Sequence, residues 1–300
     1  MGSIDNNSYK FMKGNECKNI LFNKLKTFID KHEHNICMSI IQIGNNAASS
    51  IYIKHKIKAC EKLGITCNHI HYEFINENDL INNIIKLNND DNVHGYIIQL
   101  PLPDHININN ILAVIDPSKD IDCFHPENVG KLLNFDNILL YPPTPIGIIY
   151  LLKHYNIELK GKHIVIIGKG RIVGTPLCLL LSDENKIGAT VTMCDKWTEN
   201  INDITNKADI LIVCAGVKKL INNEEQIKKN CVLVDVGIHQ IIIDGKKKII
   251  GDIDMNEGIV NKCNMISPSP GGCGCLTIIF LCINVVNAFC IKKNINRFTI

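Results

Sequence analysis

The sequence predicts an α/β protein of two domains, each built around a parallel sheet whose strands are joined by helices. Three observations carry this. Short β-branched apolar runs alternate with longer stretches of helical period in both halves of the chain. Many of those runs are continuously apolar, as expected of strands covered on both faces. Between the halves lies Tyr141-Pro142-Pro143-Thr144-Pro145, whose prolines suit neither a helix interior nor a central strand, so a hinge is placed there.

In the first half, residues 36–43, 68–74 and 94–100 read as strands, with helices over about 49–63 and 78–87 between them. In the second half, 163–167, 190–194, 209–214 and 231–236 are short apolar strands separated by helix-length gaps. Gly251-Asp252-Ile253-Asp254 and the loop over 267–274 end the second sheet. Lys246-Lys247-Lys248 beside Asp244-Gly245 reads as a charged hairpin turn. No charge occurs between Asn264 and Ile291, but Asn284 and Asn287 interrupt the apolar part and a Pro/Gly-rich loop fills its first third. A buried helix is the better reading than a membrane span.

The hinge sets the boundary between a first domain over 1–143 and a second that begins at 144. A chain of 300 residues with 46% hydrophobic and 21% charged residues suits a globular protein with a real core. The net charge of +2 from 32 basic and 30 acidic residues supplies no basic field, which argues against a nucleic-acid partner. The 14 cysteines are scattered through apparent strands and helices, with no Cys-x-x-Cys pair. They read as small buried hydrophobes in a reducing compartment, and no metal site is expected. Met1-Gly2-Ser3-Ile4-Asp5-Asn6 has no apolar signal core, so the expected location is the cytosol, with an organelle as the alternative.

Gly168-Lys169-Gly170-Arg171-Ile172-Val173-Gly174 follows an apolar strand and precedes a helical run, the setting of a dinucleotide-binding turn in a Rossmann-like domain. The spacing departs from Gly-x-Gly-x-x-Gly, because Val173 holds the third glycine position and Gly174 comes one later. At the end of the next strand stands Cys194-Asp195-Lys196. An acidic residue there suits the free ribose of NAD, whereas Lys169, Arg171 and Lys196 suit the extra phosphate of NADP. Three cations against one carboxylate favour NADP, with NAD as the alternative.

In a helix, Tyr52 and Lys56 stand one turn apart on a single face. Such a pair is common on solvated helices, but three later segments accompany it in order. They are Gly95-Tyr96-Ile97-Ile98-Gln99-Leu100-Pro101-Leu102-Pro103, Lys119-Asp120-Ile121-Asp122 and Ser269-Pro270-Gly271-Gly272-Cys273-Gly274. Together the four segments resemble the bifunctional methylenetetrahydrofolate dehydrogenase/methenyltetrahydrofolate cyclohydrolase family, over about residues 36–289.

The resemblance implies a folate-binding catalytic domain over 1–143 and 277–300 and an NAD(P)-binding Rossmann-like domain over 144–276, the C-terminal helix returning to the first. It implies Tyr52, Lys56, Gln99 and Asp122 as the catalytic set. Ser49, Leu100 and Pro101, with Pro270, Gly271 and Gly272 of the last loop, join Tyr52 and Asp122 around the substrate. Thr144, Gly168, Lys169, Gly170, Arg171, Asp195, Lys196, Ile238 and Thr277 match cofactor-holding positions. It also implies a homodimer acting on tetrahydrofolate derivatives, with no membrane partner.

The implied chemistry is transfer of a hydride from the methylene bridge of the folate, then attack of water on the methenyl cation. Lys56 can take the water's proton only if burial or a neighbouring cation lowers its pKa. Gln99 would orient Lys56, Tyr52 would pack on the substrate and Asp122 would meet the amino-pyrimidine edge of the pterin. Taken singly, Gln99 could instead satisfy backbone at a strand end and Asp122 could cap the segment after it.

Several positions depart from the family pattern. Cys123 stands for a glycine, Pro143 for a cysteine and Cys275 for a proline; Lys169-Gly170 replaces Arg-Ser, and Asp195-Lys196 replaces His-Ser. The cofactor-side changes keep three rivals open: a cyclohydrolase-only member, an unrelated Rossmann-class dehydrogenase, and a non-catalytic ligand-binding module.

Overall fold

In the computed structural model, which describes residues 10–32, 35–135, 137–243 and 246–300, the run Cys37–Ile43 (β1) is buried from its second residue onward. It pairs in parallel with Thr66–Tyr72 (β2) on one side and Gly95–Ile98 (β3) on the other. The readings of residues 1–6 and of the Asp244-Gly245 turn fall outside the described residues.

Helix α1 (Gly14–His32) precedes β1, and α2 (Ala47–Leu63) and α3 (Glu77–Asn89) make the crossovers. α2 begins two residues before the expected Ser49 because the Asn46 side chain caps it, accepting from Ser49 N. It stops at Gly64, whose φ of 81° is the left-handed cap conformation. Leu80 and Ile84 of α3 pack with Ile41, Ile98 and Ile111 in one core cluster, each burial stabilising by roughly 1.5–3 kcal/mol. Two short helices follow, α4 (Ile108–Val114) and α5 (Pro126–Asn134).

The chain divides into two compact units. One comprises Asn19–Pro143 with Ile278–Ile300; the other comprises Thr144–Thr277 with the segment ending at Lys18. That N-terminal segment was expected in the first domain through residue 143. Its partners are instead in the second unit: Phe11 bridges to Ile266, Met12 N donates to Ile266 O at 2.7 Å, and Gly14 N donates to Gly271 O at 2.9 Å. Edge pairing of this kind leaves no apolar periodicity to read. The Pro-rich segment is where the two units divide, after Pro143, and Pro143 itself opens α6 (Pro143–His154). Proline is tolerated in a first turn, where the N–H groups have no helical acceptor.

The second unit carries a five-stranded parallel sheet in the order β10-β7-β6-β4-β5. Its strands are β4 (His163–Ile167), β5 (Thr190–Cys194), β6 (Ile210–Val213), β7 (Val232–Asp235) and β10 (Met265–Ser267). Three residues are too few for β10 to show in a periodicity. Helices α7 (Gly174–Ser182), α8 (Ile201–Thr205) and α9 (Glu257–Lys262) connect strands, and β8 (His239–Ile243) pairs antiparallel with β9 (Lys246–Ile250). Helix α10 (Gly274–Lys292) is long and apolar enough to cross a membrane, but 67% of that stretch is buried. From Ile278 onward it belongs to the first unit, where Phe289 packs edge-on against His94.

Candidate active site

Lysine is rarely found on the stripe where α2 places Lys56. The helix buries Ser49, Ile53, Lys56, Cys60 and Leu63, the spacing of a face turned to the core, and Lys56 is only 9% exposed. Its Nζ donates to Gln99 Oε1 at 3.0 Å. Burial lowers the Lys56 pKa from its ordinary value, with the charge of Asp122 opposing. Tyr52, one turn earlier, is half-buried.

Gln99 follows β3 and extends its ladder, N donating to Ile41 O at 2.8 Å. Its Nε2 donates to Leu100 O at 2.9 Å, and Ser49 Oγ reaches the same carbonyl at 3.2 Å. One end of the amide therefore satisfies strand-end backbone and the other holds Lys56. The cis Leu100-Pro101 bond follows directly.

Tyr96 N donates to Lys119 O, laying Lys119-Asp120-Ile121 beside β3. Asp120 and Asp122 line a small apolar hollow with Ile98, Leu100 and Leu102. Burial pushes the Asp122 carboxyl up to about 6, with Lys56 pulling it down and Asp120 pushing it up. The capping alternative for Asp122 is taken by others: His125 caps α5, and Asp120 Oδ2 accepts from His125 N and Asn128 Nδ2. A buried lysine with a lowered pKa, an amide fixing it and a carboxyl pushed up to about 6 make a site able to move a proton.

In the other unit, β4 runs into the glycine turn and α7. Gly168 has φ +117°, and a Cβ on Gly174 would lie 1.8 Å from Gly168 O. The late third glycine thus serves close packing of the helix start on the strand end. Thr175 closes the turn, N donating to Gly170 O at 3.1 Å and Oγ1 to Lys169 O at 3.0 Å. A Cβ on Gly170 would meet nothing within 4 Å, so the backbone there faces open space. Arg171 is exposed on the same turn.

Lys169 Nζ pairs with Asp195 Oδ2 at 3.0 Å, joining the turn to the end of β5. Asp195 Oδ1 accepts from Trp197 N at 3.0 Å and Thr198 Oγ1 at 3.3 Å. The hydrogen bond from Lys169, then that from Trp197 N, holds this carboxyl below its usual range. Lys196 Nζ lies 5.0 Å from the centre of the exposed Trp197 ring. Thr144 Oγ1 and Thr277 Oγ1 are 3.0 Å apart, and Ile238 is 46% exposed just past β7. A tight glycine turn with approachable backbone and lysine beside it fits a dinucleotide phosphate. Pro270, Gly271 and Gly272 belong to this unit, whereas Ser49, Tyr52, Lys56, Gln99, Leu100, Pro101 and Asp122 belong to the other.

Two family profiles match the chain: the tetrahydrofolate dehydrogenase/cyclohydrolase catalytic domain over residues 12–122, and the NAD(P)-binding domain of the same family over 142–293. The chain belongs to the tetrahydrofolate dehydrogenase/cyclohydrolase family. A bifunctional protein FolD from Wolbachia sp. subsp. Brugia malayi is 41% identical over 281 residues, 92% of this chain and 94% of the relative. The bifunctional FolD crystal structure from Campylobacter jejuni, 39% identical, superposes with a TM-score of 0.87, covering 95% of this chain and 99% of its own. The Trypanosoma brucei FolD structure, complexed with NADP cofactor and inhibitor, is 29% identical, with a TM-score of 0.87 over 94% of this chain and 97% of its own.

Within this family the chain's departures gain a physical meaning. Cys123, where the resemblance led one to expect a glycine, has φ 61°, the left-handed region that glycine enters without strain. Asn284 escaped the sequence reading, which took it only as a break in an apolar run. Its Nδ2 donates to Ile121 O and Tyr141 O, each at 2.7 Å, steadying the residue before Asp122. A polar residue on an otherwise apolar helix was the available signal. Asn284→Leu should lower stability by about 2 kcal/mol by leaving both carbonyls without this donor; an unchanged denaturation midpoint would contradict this role.

Proposed function

We infer that this enzyme oxidises 5,10-methylenetetrahydrofolate to the 5,10-methenyl form with NADP and hydrolyses the methenyl form to 10-formyltetrahydrofolate. The observation that carries the reading is Lys56 on the buried stripe of α2, its amine fixed by Gln99 and its pKa lowered by burial. A neutral Lys56 has two N–H donors and one lone pair. With one N–H given to Gln99, the lone pair can take the proton of the water that attacks the methenyl carbon. Tyr52 packs on the folate, and Asp122 meets the amino-pyrimidine edge of the pterin, where a carboxyl titrating near 6 can accept or share a proton. Ser49, Leu100 and Pro101 shape the same pocket, and Pro270, Gly271 and Gly272 are assigned to substrate binding by the last loop's match to the family.

Gly168, Gly170 and the start of α7 would hold the NADP pyrophosphate, with Thr144, Ile238 and Thr277 against the rest of the cofactor. When bound, NADP supplies the acceptor for the hydride. The protein aligns donor and acceptor and keeps water from the reacting carbon until oxidation is complete. Lys169, Arg171 and Lys196 favour the 2′-phosphate, and Asp195 competes for Lys169 through the ion pair already formed. The enzyme works as a cytoplasmic homodimer on tetrahydrofolate derivatives. The fourteen free cysteines suit a reducing compartment.

The direct test is reduced-nicotinamide formation from methylenetetrahydrofolate, run with NADP and with NAD, alongside hydrolysis of the methenyl form. Turnover with NADP and hydrolysis are both expected; folded protein lacking both activities would refute the reading. In the same assay Asp195→Asn should lower the KM for NADP about threefold, the scale of an exposed ion pair, by freeing Lys169 for the phosphate. An unchanged ratio of NADP to NAD efficiency would remove Asp195 from cofactor choice.

A further inference from the structure

Two carboxylates of the nucleotide-binding unit, Asp235 and Asp252, are 1% and 0% exposed, and the chemistry above uses neither. A carboxylate is buried at this depth only when its oxygens are engaged. Asp235, the last residue of β7, accepts from Gly237 N at 3.1 Å and Asp252 N at 2.9 Å through Oδ1, and from Ile253 N at 3.1 Å through Oδ2. Asp252 Oδ2 accepts from Gly216 N at 2.8 Å, and its Oδ1 lies 2.7 Å from His239 Nε2. Gly216 lies just past β6, and His239 opens β8. A Cβ on Gly237 would stand 2.1 Å from Asp252 Oδ1, so the backbone rests directly on this carboxylate and only glycine fits.

The consequence falls on Ile238, which matches a cofactor-holding position. On one side, Gly237 is held through its N–H by Asp235 and through its carbonyl by Ser269 Oγ. On the other, His239 is held by Asp252. The same carboxylate grips Gly216 beyond the neighbouring strand. Both strands end at the carboxyl edge of a parallel sheet, where such folds place their ligands.

We propose that His239 is a positioning residue for the cofactor: through Asp252 it locks the segments after β6 and β7, and with them Ile238, into one arrangement. An imidazole with a hydrogen on Nε2 donates to Asp252 Oδ1, and an imidazolium adds an ion pair. Without either, one oxygen of a fully buried carboxylate has lost its partner. Asp252 must then turn toward another donor, and Gly216 and Ile238 lose their common anchor.

This inference rests on the reading of the unit as the NADP site. His239→Ala is expected to raise the Kd for NADP about tenfold, the scale of a lost hydrogen bond to a charged group, followed through the fluorescence of Trp197, the single tryptophan. The KM for NADP should rise in step, with the folate KM unchanged and kcat within about twofold. His239→Gln, which can present an N–H to the same oxygen, should restore most of the affinity. Circular dichroism and the unfolding midpoint identify a variant that has not folded, in which case the Gln variant decides. Wild-type affinity in His239→Ala, or no recovery in a folded Gln variant, would overturn the positioning role. A wild-type protein that neither binds nor reduces NADP would instead overturn the functional reading beneath it.

Discussion

Replacing Lys56 with methionine is expected to slow hydrolysis of the methenyl substrate by about a thousandfold while leaving measurable oxidation. The magnitude is that of removing a positioned general base. Methionine keeps most of the length and the unbranched apolar stem of the side chain, so the buried stripe of Ser49, Ile53, Cys60 and Leu63 stays filled. Only the amine is lost, and with it the bond to Gln99 Oε1. The wild-type pH profile provides a second check. Burial favours the uncharged amine, so the fraction of active base rises with pH along a limb centred below lysine's ordinary 10.5. In Lys56→Met that limb should vanish. Full hydrolysis by the variant, or an unchanged limb, would transfer the base to another group.

Gly174→Ala is expected to weaken NADP binding about a hundredfold and to cost roughly 3 kcal/mol of stability, the upper range for overpacking a rigid site. The added Cβ would lie 1.8 Å from Gly168 O and 2.8 Å from Gly168 C. Both are backbone atoms at the start of the turn, with no rotamer to absorb the clash. The junction of β4 and α7 must open, and the N–H groups that meet a phosphate at the helix start no longer converge. Gly170→Ala is the matched control for stability only, because its Cβ would enter the open space assigned to the cofactor rather than meet protein, and its loss of stability should be several-fold smaller. Equal losses of stability at the two positions, or wild-type affinity in Gly174→Ala, would show that the turn tolerates this expansion and that the packing argument fails.

Much of the fold was legible because its signals are local. Strands β1, β4 and β5 are short runs rich in apolar and β-branched residues between turn residues, and their boundaries fall within a residue of expectation. Less legible were elements whose cause lies elsewhere in the chain. Met265–Ser267 is a strand only because Val232–Val234 offers it an edge. The N-terminal segment has no pattern that announces its pairing with Ile266 and Gly271.

The candidate site divides in the same way. Tyr52 and Lys56 share a helix face by spacing alone, and the residue types in Gln-Leu-Pro and Asp-x-Asp can be read directly. Asn46 was a readable cap that would have placed the start of α2 correctly. By itself, then, the sequence determined the α/β class and the two-part division, which depend on periodicity and spacing along the chain, and through its resemblance to the family it pointed to the order of the catalytic and nucleotide-binding parts and to the residues that could carry the chemistry. Only the tertiary structure decided that Lys56 is buried against an amide 43 residues away, that Asp195 is already paired with Lys169, and that Asp252 joins His239 to Gly216. Desolvation and hydrogen-bond pairing are set by which distant segments meet, and that information lies in no single stretch of sequence.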